Sequence, residues 1–278
     1  MKHILALTDF SGRSALALER ALDLAKLSNA RVTTLNVIDE DQPASMIAAH
    51  EREAKALFSQ MAERPNVERL VRIGEPFVAI SQCADELGAD LLVFGARRRA
   101  PLRNAFVGTT AERALRRSRI PALIVNRGAE GKYKRPVAAL DLVDNDLFPW
   151  RAAARLDLVE PQNAKVVFAY EAGSFHDLRK ANRDVKGFEG YFQSEREGVL
   201  PSVAAAMKEL GLRADQAELH SIYYSPAQTI LDAAKRCEAD LIVIGSRRQS
   251  ALARYMLGSV SAEVLQSAEM DVLVVPPA

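Results

Sequence analysis

The chain has 278 residues, of which 49% are hydrophobic and 26% charged, and its formal net charge is +1. This composition is typical of a soluble globular protein, and no apolar stretch approaches the roughly 20 residues that cross a bilayer. The chain has two cysteines, one in each half, which favours a reduced protein. The N terminus has an acidic residue at position 9, too early for a signal peptide, so we expect a cytoplasmic protein without a membrane partner.

Five short apolar runs predict five β-strands in the first half of the chain, near residues 3–8, 31–38, 67–73, 90–95 and 121–125. Between them, apolar residues recur with helical spacing, for example at Ala15, Leu18, Leu22 and Ala25. Strands that are apolar on both faces are typical of parallel sheets whose helices form the crossovers. The sequence therefore predicts an α/β fold.

The second half repeats this alternation after a stretch rich in glycine and basic residues, at 126–135. We predict a first domain at 1–127, a linker at 128–135 and a second domain at 136–278. The expected strands of the second domain are near 135–141, 164–170, 217–223, 240–245 and 271–275.

A long internal repeat indicates that the two halves are copies of one domain. Residues 89–99 (ADLLVFGARRR) correspond to residues 239–249 (ADLIVIGSRRQ), and Gly108-Thr109 corresponds to Gly258-Ser259. The second copy carries about 16 extra residues near 173–195, between its second and third strands. A lid, a dimer contact or a longer helix with its loop would each account for them.

Charge is distributed unevenly between the copies. Residues 1–134 contain 21 Lys and Arg against 16 Asp and Glu, whereas residues 135–278 contain 16 against 20. Nine arginines fall between Arg97 and Arg127. Solvated helix faces would explain them, and so would a first half that is better prepared for an anion.

Candidate ligand-binding residues follow the first and fourth strands, because ligands of doubly wound sheets bind outside the carboxyl strand ends. Thr8 and Asp9 end the first strand, and Gly95 ends the fourth, where a glycine lets a group approach the backbone. Asp9 suits a ribose hydroxyl or a metal-bound phosphate. Thr109 and Thr110, at a helix start, suit phosphate oxygens. Helix capping is the structural alternative for Asp9 and Thr109.

These residues resemble the motifs of the universal stress protein family. The resemblance covers the chain twice and rests on residues 3–11, 35–39, 72–76 and the Gly95…Gly108-Thr109 block. It implies two doubly wound, five-stranded parallel-sheet domains with strand order 3-2-1-4-5, similar to the adenine nucleotide alpha hydrolases. It also implies pairing of domains through their fifth strands, and binding of ATP or a related nucleotide with Mg²⁺.

The chain departs from the family's phosphate loop at one position in each half. Nucleotide-binding members carry Gly-x-x-Gly, nine residues, then Gly-Ser or Gly-Thr; here the second glycine is Arg98 in one half and Arg248 in the other. An arginine at this place could block the backbone from a triphosphate, or it could pair with phosphate. The sequence leaves both roles open.

The first half is the better candidate for a nucleotide. Val37 lies where nucleotide-binding relatives contact the base, and Glu171 takes its place in the second half. Asp141 corresponds to Asp9, but its neighbours differ. Because Gly245, Gly258 and Ser259 are retained, an anion site in the second half stays a candidate.

Sequence motifs for catalysis are missing. The chain has no Walker A loop, no nucleophile elbow, no His or Cys at metal-ligand spacing and no basic stretch with interleaved aromatic residues for nucleic acid. We therefore expect a non-enzymatic stress-response protein that senses or sequesters a nucleotide or other phosphorylated ligand. The alternatives are an ATP-binding protein with slow hydrolysis and an assembly module without a ligand, paired within or between chains.

Overall fold

Ten strands and seven α-helices make up the part of the chain that the computed structural model describes, residues 1–96, 118–141, 147–170, 188–221, 225–246 and 257–277. The first half contains β1 (His3–Leu7), α1 (Gly12–Ser28), β2 (Arg31–Ile38), α2 (Ala44–Gln60), β3 (Val67–Ile73), α3 (Pro76–Leu87), β4 (Leu91–Gly95) and β5 (Ala122–Val125). The second half contains β6 (Pro136–Leu140), α4 (Phe148–Arg155), β7 (Lys165–Tyr170), α5 (Phe188–Glu209), β8 (Ala217–Ser221), α6 (Pro226–Arg236), β9 (Leu241–Gly245), α7 (Ser259–Ser267) and β10 (Asp271–Val275).

All ten strands belong to one sheet, in the order β3-β2-β1-β4-β5-β10-β9-β6-β7-β8. The predicted α/β fold with a mostly parallel sheet is confirmed, but the two halves share one continuous sheet instead of keeping two separate ones. The single antiparallel pair among these strands joins β5 to β10, with Leu123 opposite Leu273. Because β5 also pairs with β4 and β10 with β9, both edges of each fifth strand are occupied within the chain.

The central strands are buried on both faces, as parallel strands covered by helices must be. Leu91, Leu92 and Val93 of β4 have no exposed surface, and the same holds for Ile242 and Val243 of β9. Two hydrophobic clusters, one on each side of the sheet, extend across both halves. The edge strand β3 is half-exposed, and its sequence VERLVRI accordingly mixes apolar with charged residues.

Helix α1 lies on the sheet beside β1 and β4 and begins and ends with defined caps. The Ser11 hydroxyl accepts a hydrogen bond from the Ser14 N–H at 3.3 Å, and Asn29 ends the helix in the left-handed conformation with φ 52°. The buried face of α1 is apolar except for Ser14 and Arg20, which are 4% and 2% exposed.

Residues 126–135, which include the predicted linker, are hydrogen-bonded to the second half. The buried Asp271 carboxylate accepts the backbone N–H groups of Asn126, Arg127 and Gly128 through Oδ1 at 2.8, 3.0 and 3.2 Å. Its Oδ2 accepts the hydroxyl of the fully buried Tyr133 at 2.6 Å. One carboxylate at the start of β10 thus fixes the chain that connects the halves.

Arg20 of α1 joins the same network from the first half. Its Nε donates to the Tyr133 hydroxyl at 3.2 Å, and one terminal nitrogen donates to the carbonyls of Ala129 and Gly131 at 2.8 and 2.7 Å. Burial raises the pKa of Tyr133 well above its usual value, and the neighbouring Asp271 carboxylate raises it further. The hydroxyl therefore stays protonated and donates to Asp271.

The extra residues of the second half contribute to a longer helix. Helix α5 has 22 residues, whereas its counterpart α2 has 17. Residues 173–187 of the predicted insert lie outside the described residues, as does Glu171. Among the helices described, none is long and apolar enough to cross a membrane.

Candidate functional site

The first-half candidates Thr8, Asp9 and Gly95 lie at the carboxyl ends of two neighbouring strands. β1 pairs with β2 on one side and with β4 on the other, and the chain reverses its direction of winding at β1. A crevice outside the carboxyl strand ends opens at this kind of position in doubly wound sheets. The fold therefore brings these three residues to the edge where ligands of such sheets bind.

Asp9 is an exposed carboxylate that is held in its ionised form. Its Oδ1 accepts the Ser11 N–H at 3.0 Å. Burial raises the pKa of Asp9, but hydrogen bonds from Ser11 and Ser14 outweigh it, so the pKa lies below its ordinary value. The N-cap of α1 is Ser11, so the capping alternative for Asp9 is wrong. Asp9 shapes the turn before α1 while its carboxylate faces solvent.

Thr8 is hydrogen-bonded within the same turn. Its hydroxyl lies 3.1 Å from the Ser14 hydroxyl and accepts the Phe10 N–H at 3.0 Å, while its carbonyl accepts the Asn36 side-chain amide at 2.9 Å. Phe10 adopts a positive φ of 58°. Sequence reasoning missed Ser14 and Asn36, although a polar residue in the first turn of an otherwise apolar helix face marks Ser14.

Gly95 serves the packing of α1 against β4. A Cβ at this position would lie 2.7 Å from the carbonyl carbon and oxygen of Arg13 and 2.9 Å from the backbone nitrogen of Ser14. The group that approaches this glycine is therefore the first turn of α1, and the glycine is required whether or not a ligand binds.

Val37 and the second-half candidates lie on or beside other strands and helices of the fold. Val37, on β2, is partly buried against the hydrophobic cluster that contains Leu35 and Ile80. Asp141 directly follows β6, as Asp9 closely follows β1. The carbonyl of Gly245, at the end of β9, accepts the Ser261 hydroxyl at 2.7 Å. That bond ties the strand end to α7.

At the start of α7, Gly258 is the N-cap residue and makes no side-chain cap bond, and Ser259 is the first helical residue. The predicted phosphate-loop residues Arg98, Gly108, Thr109, Thr110 and Arg248 lie outside the described residues. Within the described ranges, no three His, Cys, Asp or Glu side chains converge on a place for a metal ion. The described part of the site thus supplies the Asp9 carboxylate and the turn that holds it. The residues predicted to bind phosphate are known from the sequence alone.

A family model described as "Universal stress protein family" matches residues 1–126 and again residues 139–276. A universal stress protein of Methanocaldococcus jannaschii is 27% identical over 149 residues, which cover 54% of this chain and 85% of that protein. A putative universal stress protein of Staphylococcus haemolyticus is 30% identical over 138 residues, covering 45% of this chain and 84% of that protein.

Solved structures share the whole fold at low identity. A universal stress protein from Archaeoglobus fulgidus covers 99% of this chain and 98% of its own, with a TM-score of 0.63 and 19% identity. A smaller universal stress protein in complex with cAMP covers 45% of this chain and 95% of its own, with a TM-score of 0.33 and 27% identity. The first shows the fold alone; the second establishes neither fold nor ligand for this chain.

Proposed function

Because this chain belongs to the universal stress protein family, we propose that it is a stress-response protein that binds a nucleotide or another small phosphorylated ligand, mainly at the carboxyl edge of its first half. The observation that carries the proposal is Asp9, an exposed, ionised carboxylate at the winding reversal of the sheet. Such a carboxylate accepts a ribose hydroxyl, or binds phosphate through Mg²⁺.

The sequence also offers candidate phosphate-binding groups. Gly108, Thr109 and Thr110 follow β4 along the chain, and we expect them to bind the phosphates of a ligand held at Asp9. Val37, on the neighbouring strand β2, offers an apolar contact for a base. In the second half, the sheet register gives Ala169 the place of Val37, because Leu5 pairs with Thr33 and Val137 with Lys165. The predicted correspondence of Val37 with Glu171 is therefore wrong.

Calorimetric titration with ATP, ADP, AMP and cyclic nucleotides tests this proposal. Asp9→Asn is expected to weaken binding about tenfold, the usual effect of losing a charge-assisted hydrogen bond. If Asp9 accepts a ribose hydroxyl, the loss occurs with and without Mg²⁺; if it binds through the metal, the loss requires Mg²⁺. Asp141→Asn, the equivalent change in the second half, should leave the affinity unchanged. Absence of heat with every nucleotide would refute nucleotide binding.

Arg98→Gly tests how the phosphate loop tolerates its arginine. If Arg98 blocks the site, the substitution restores the glycine of nucleotide-binding relatives and ATP binds more tightly. If Arg98 pairs with phosphate, binding weakens by about tenfold. Arg248→Gly is the matched change in the other half and should alter ATP affinity less. An affinity that stays the same in Arg98→Gly would contradict both roles of Arg98.

A further inference from the structure

A basic cleft lies at the amino edge of the sheet in the second half, opposite the edge that carries Asp141. Its volume is about 550 Å³, and Lys134, Arg135, Lys165, Arg213 and Cys237 are among the residues that line it. These four cations come from three separate segments: the chain before β6, the first residue of β7, and the chain before β8. No acidic residue lines the cleft.

Three of the four cations have no carboxylate partner within the described ranges. Arg213 is paired with Asp215 by two bonds of 3.0 and 3.1 Å. The ammonium of Lys165 donates only to the backbone carbonyl of Asp215, at 3.0 Å. The nearby Asp240 carboxylate is used by the backbone N–H groups of Lys134 and Arg135, at 2.7 and 3.0 Å. The cleft therefore has an excess of unneutralised positive charge.

The first half provides an internal comparison, because the same backbone arrangement recurs there. The N–H groups of Lys2 and His3 donate to Asp90, just as those of Lys134 and Arg135 donate to Asp240. His3 therefore corresponds to Arg135. The sheet register extends the correspondence: Leu5 pairs with Thr33 and Val137 with Lys165, so Thr33 corresponds to Lys165.

In the first half, the His3 side chain fills the position that corresponds to the cleft. His3 is 2% exposed, and its ring nitrogens lie 3.1 Å from the Leu87 carbonyl and 2.8 Å from the Thr33 hydroxyl. The Thr33 hydroxyl in turn lies 3.5 Å from the Glu68 carboxylate. The first half thus closes its amino edge with the buried, hydrogen-bonded side chains of His3 and Thr33, beside the exposed carboxylate of Glu68.

The second half replaces the His3 and Thr33 side chains with cationic residues around an open space. The register places Thr33 opposite Glu68 and, from Val166 opposite Ala217, Lys165 opposite Gln216. The Gln216 amide donates to the carbonyls of Pro161 and Ala164 at 2.7 and 2.8 Å and so holds the wall of the cleft. At these three places, Arg135, Lys165 and Gln216 thus stand where the first half has His3, Thr33 and Glu68, while the carboxylates of Asp215 and Glu218 contact Arg213 and Cys237.

We propose that this cleft binds a small anion of the phosphate class that carries at least two negative charges, at a site separate from the nucleotide site proposed above. Arg135 is fixed by the bond from its Nε to the Glu238 carbonyl at 2.7 Å, which leaves its terminal nitrogens for an oxyanion. Lys134 and Lys165 supply point charges from other segments. Cationic side chains from several ordered segments can each bind a different oxygen of a phosphorylated group.

Cys237 lines the cleft and gives a readout that is specific to this site. Its thiol is partly exposed, whereas Cys83 is 1% exposed and serves as the internal reference. The experiment measures the rate at which neutral iodoacetamide alkylates Cys237 in the full chain, by mass spectrometry, with and without inorganic pyrophosphate at constant ionic strength. The ratio of the two rates, taken within each variant, removes any effect of a substitution on the thiol itself.

Pyrophosphate is expected to slow alkylation of Cys237 in a saturable way, and Lys165→Gln should raise the half-protecting concentration about tenfold. Lys208→Gln, an equal charge change on an exposed lysine of α5, should leave protection unchanged. No protection, equal protection in Lys165→Gln, or equal weakening in Lys208→Gln would overturn the proposal. Equal protection by citrate would overturn the phosphate class. A nucleotide at the first-half edge does not affect this readout, so the two proposals fail separately.

Discussion

Asp271→Asn is expected to lower the free energy of unfolding by about 3 kcal/mol, because it removes a buried charge to which four groups donate hydrogen bonds. An amide has one acceptor oxygen, so its NH₂ group must face either the three N–H donors of residues 126–128 or the Tyr133 hydroxyl. Either arrangement leaves at least one buried donor without an acceptor, while Arg20 keeps its ion pair with Asp23.

The matched control for this substitution is Asp157→Asn. Asp157 pairs with Lys132 at the surface, where its side chain is 59% exposed, and such pairs contribute less than about 1 kcal/mol. Urea denaturation followed by circular dichroism measures both variants. Equal denaturation midpoints for Asp271→Asn and Asp157→Asn would contradict the role of Asp271 in joining the two halves.

Gly95→Ala is expected to destabilise the chain by about 2–3 kcal/mol, since its methyl group would overlap the backbone of Arg13 and Ser14. Backbone atoms at the start of α1 cannot rotate away as a side chain would, so either α1 or β4 must move. Gly12→Ala, in the same helix start, has open space around its Cβ and is expected to be neutral or slightly stabilising.

Thermal unfolding of both glycine variants distinguishes packing from ligand access. The packing role requires Gly95→Ala to unfold at a lower temperature without any ligand present. If the two variants unfolded together and only Gly95→Ala lost nucleotide affinity, the glycine would serve the ligand, and the contact with α1 would be weaker than the structure indicates.

The strands could be predicted from the sequence because their pattern is local. The runs at 31–38, 67–73 and 271–275 coincide with β2, β3 and β10, and the other runs lie within two residues of the observed strands. An apolar run bounded by turn residues specifies a buried strand wherever its partners lie. The internal repeat then allowed the second half to be aligned with the first.

Contacts between segments distant in sequence could not be predicted in the same way. Nothing near Asp271 reveals that its partners are 138 to 145 residues away. A partial signal existed, because Asp271 opens an otherwise apolar strand and Arg20 interrupts the apolar face of α1. A charge in such a position requires a buried partner, but the sequence does not identify it.

The candidate residues Thr8, Asp9 and Gly95 lie at strand ends, but the sequence did not reveal the whole turn that the structure contains there. Residue type and the place after the first predicted strand nominated Thr8 and Asp9, whereas the positions of Ser11, Ser14 and Asn36 depend on how α1 and β2 meet at the end of β1. The basic cleft could not be predicted from the sequence for the same reason. The exchange of His3 for Arg135 can be recognised only from the sheet register, which shows that the two residues occupy equivalent positions.

Site-resolved nucleotide binding tests the central claim most directly. ATP titrated into ¹⁵N-labelled protein should shift the backbone amide resonances of residues 8–11 and 37–39, which surround the carboxyl ends of β1 and β2. The resonances of Asp141 and Ser259, at the equivalent edge of the second half, should stay in place. Shifts confined to the second half, or no shifts at saturating ATP, would contradict a nucleotide site in the first half.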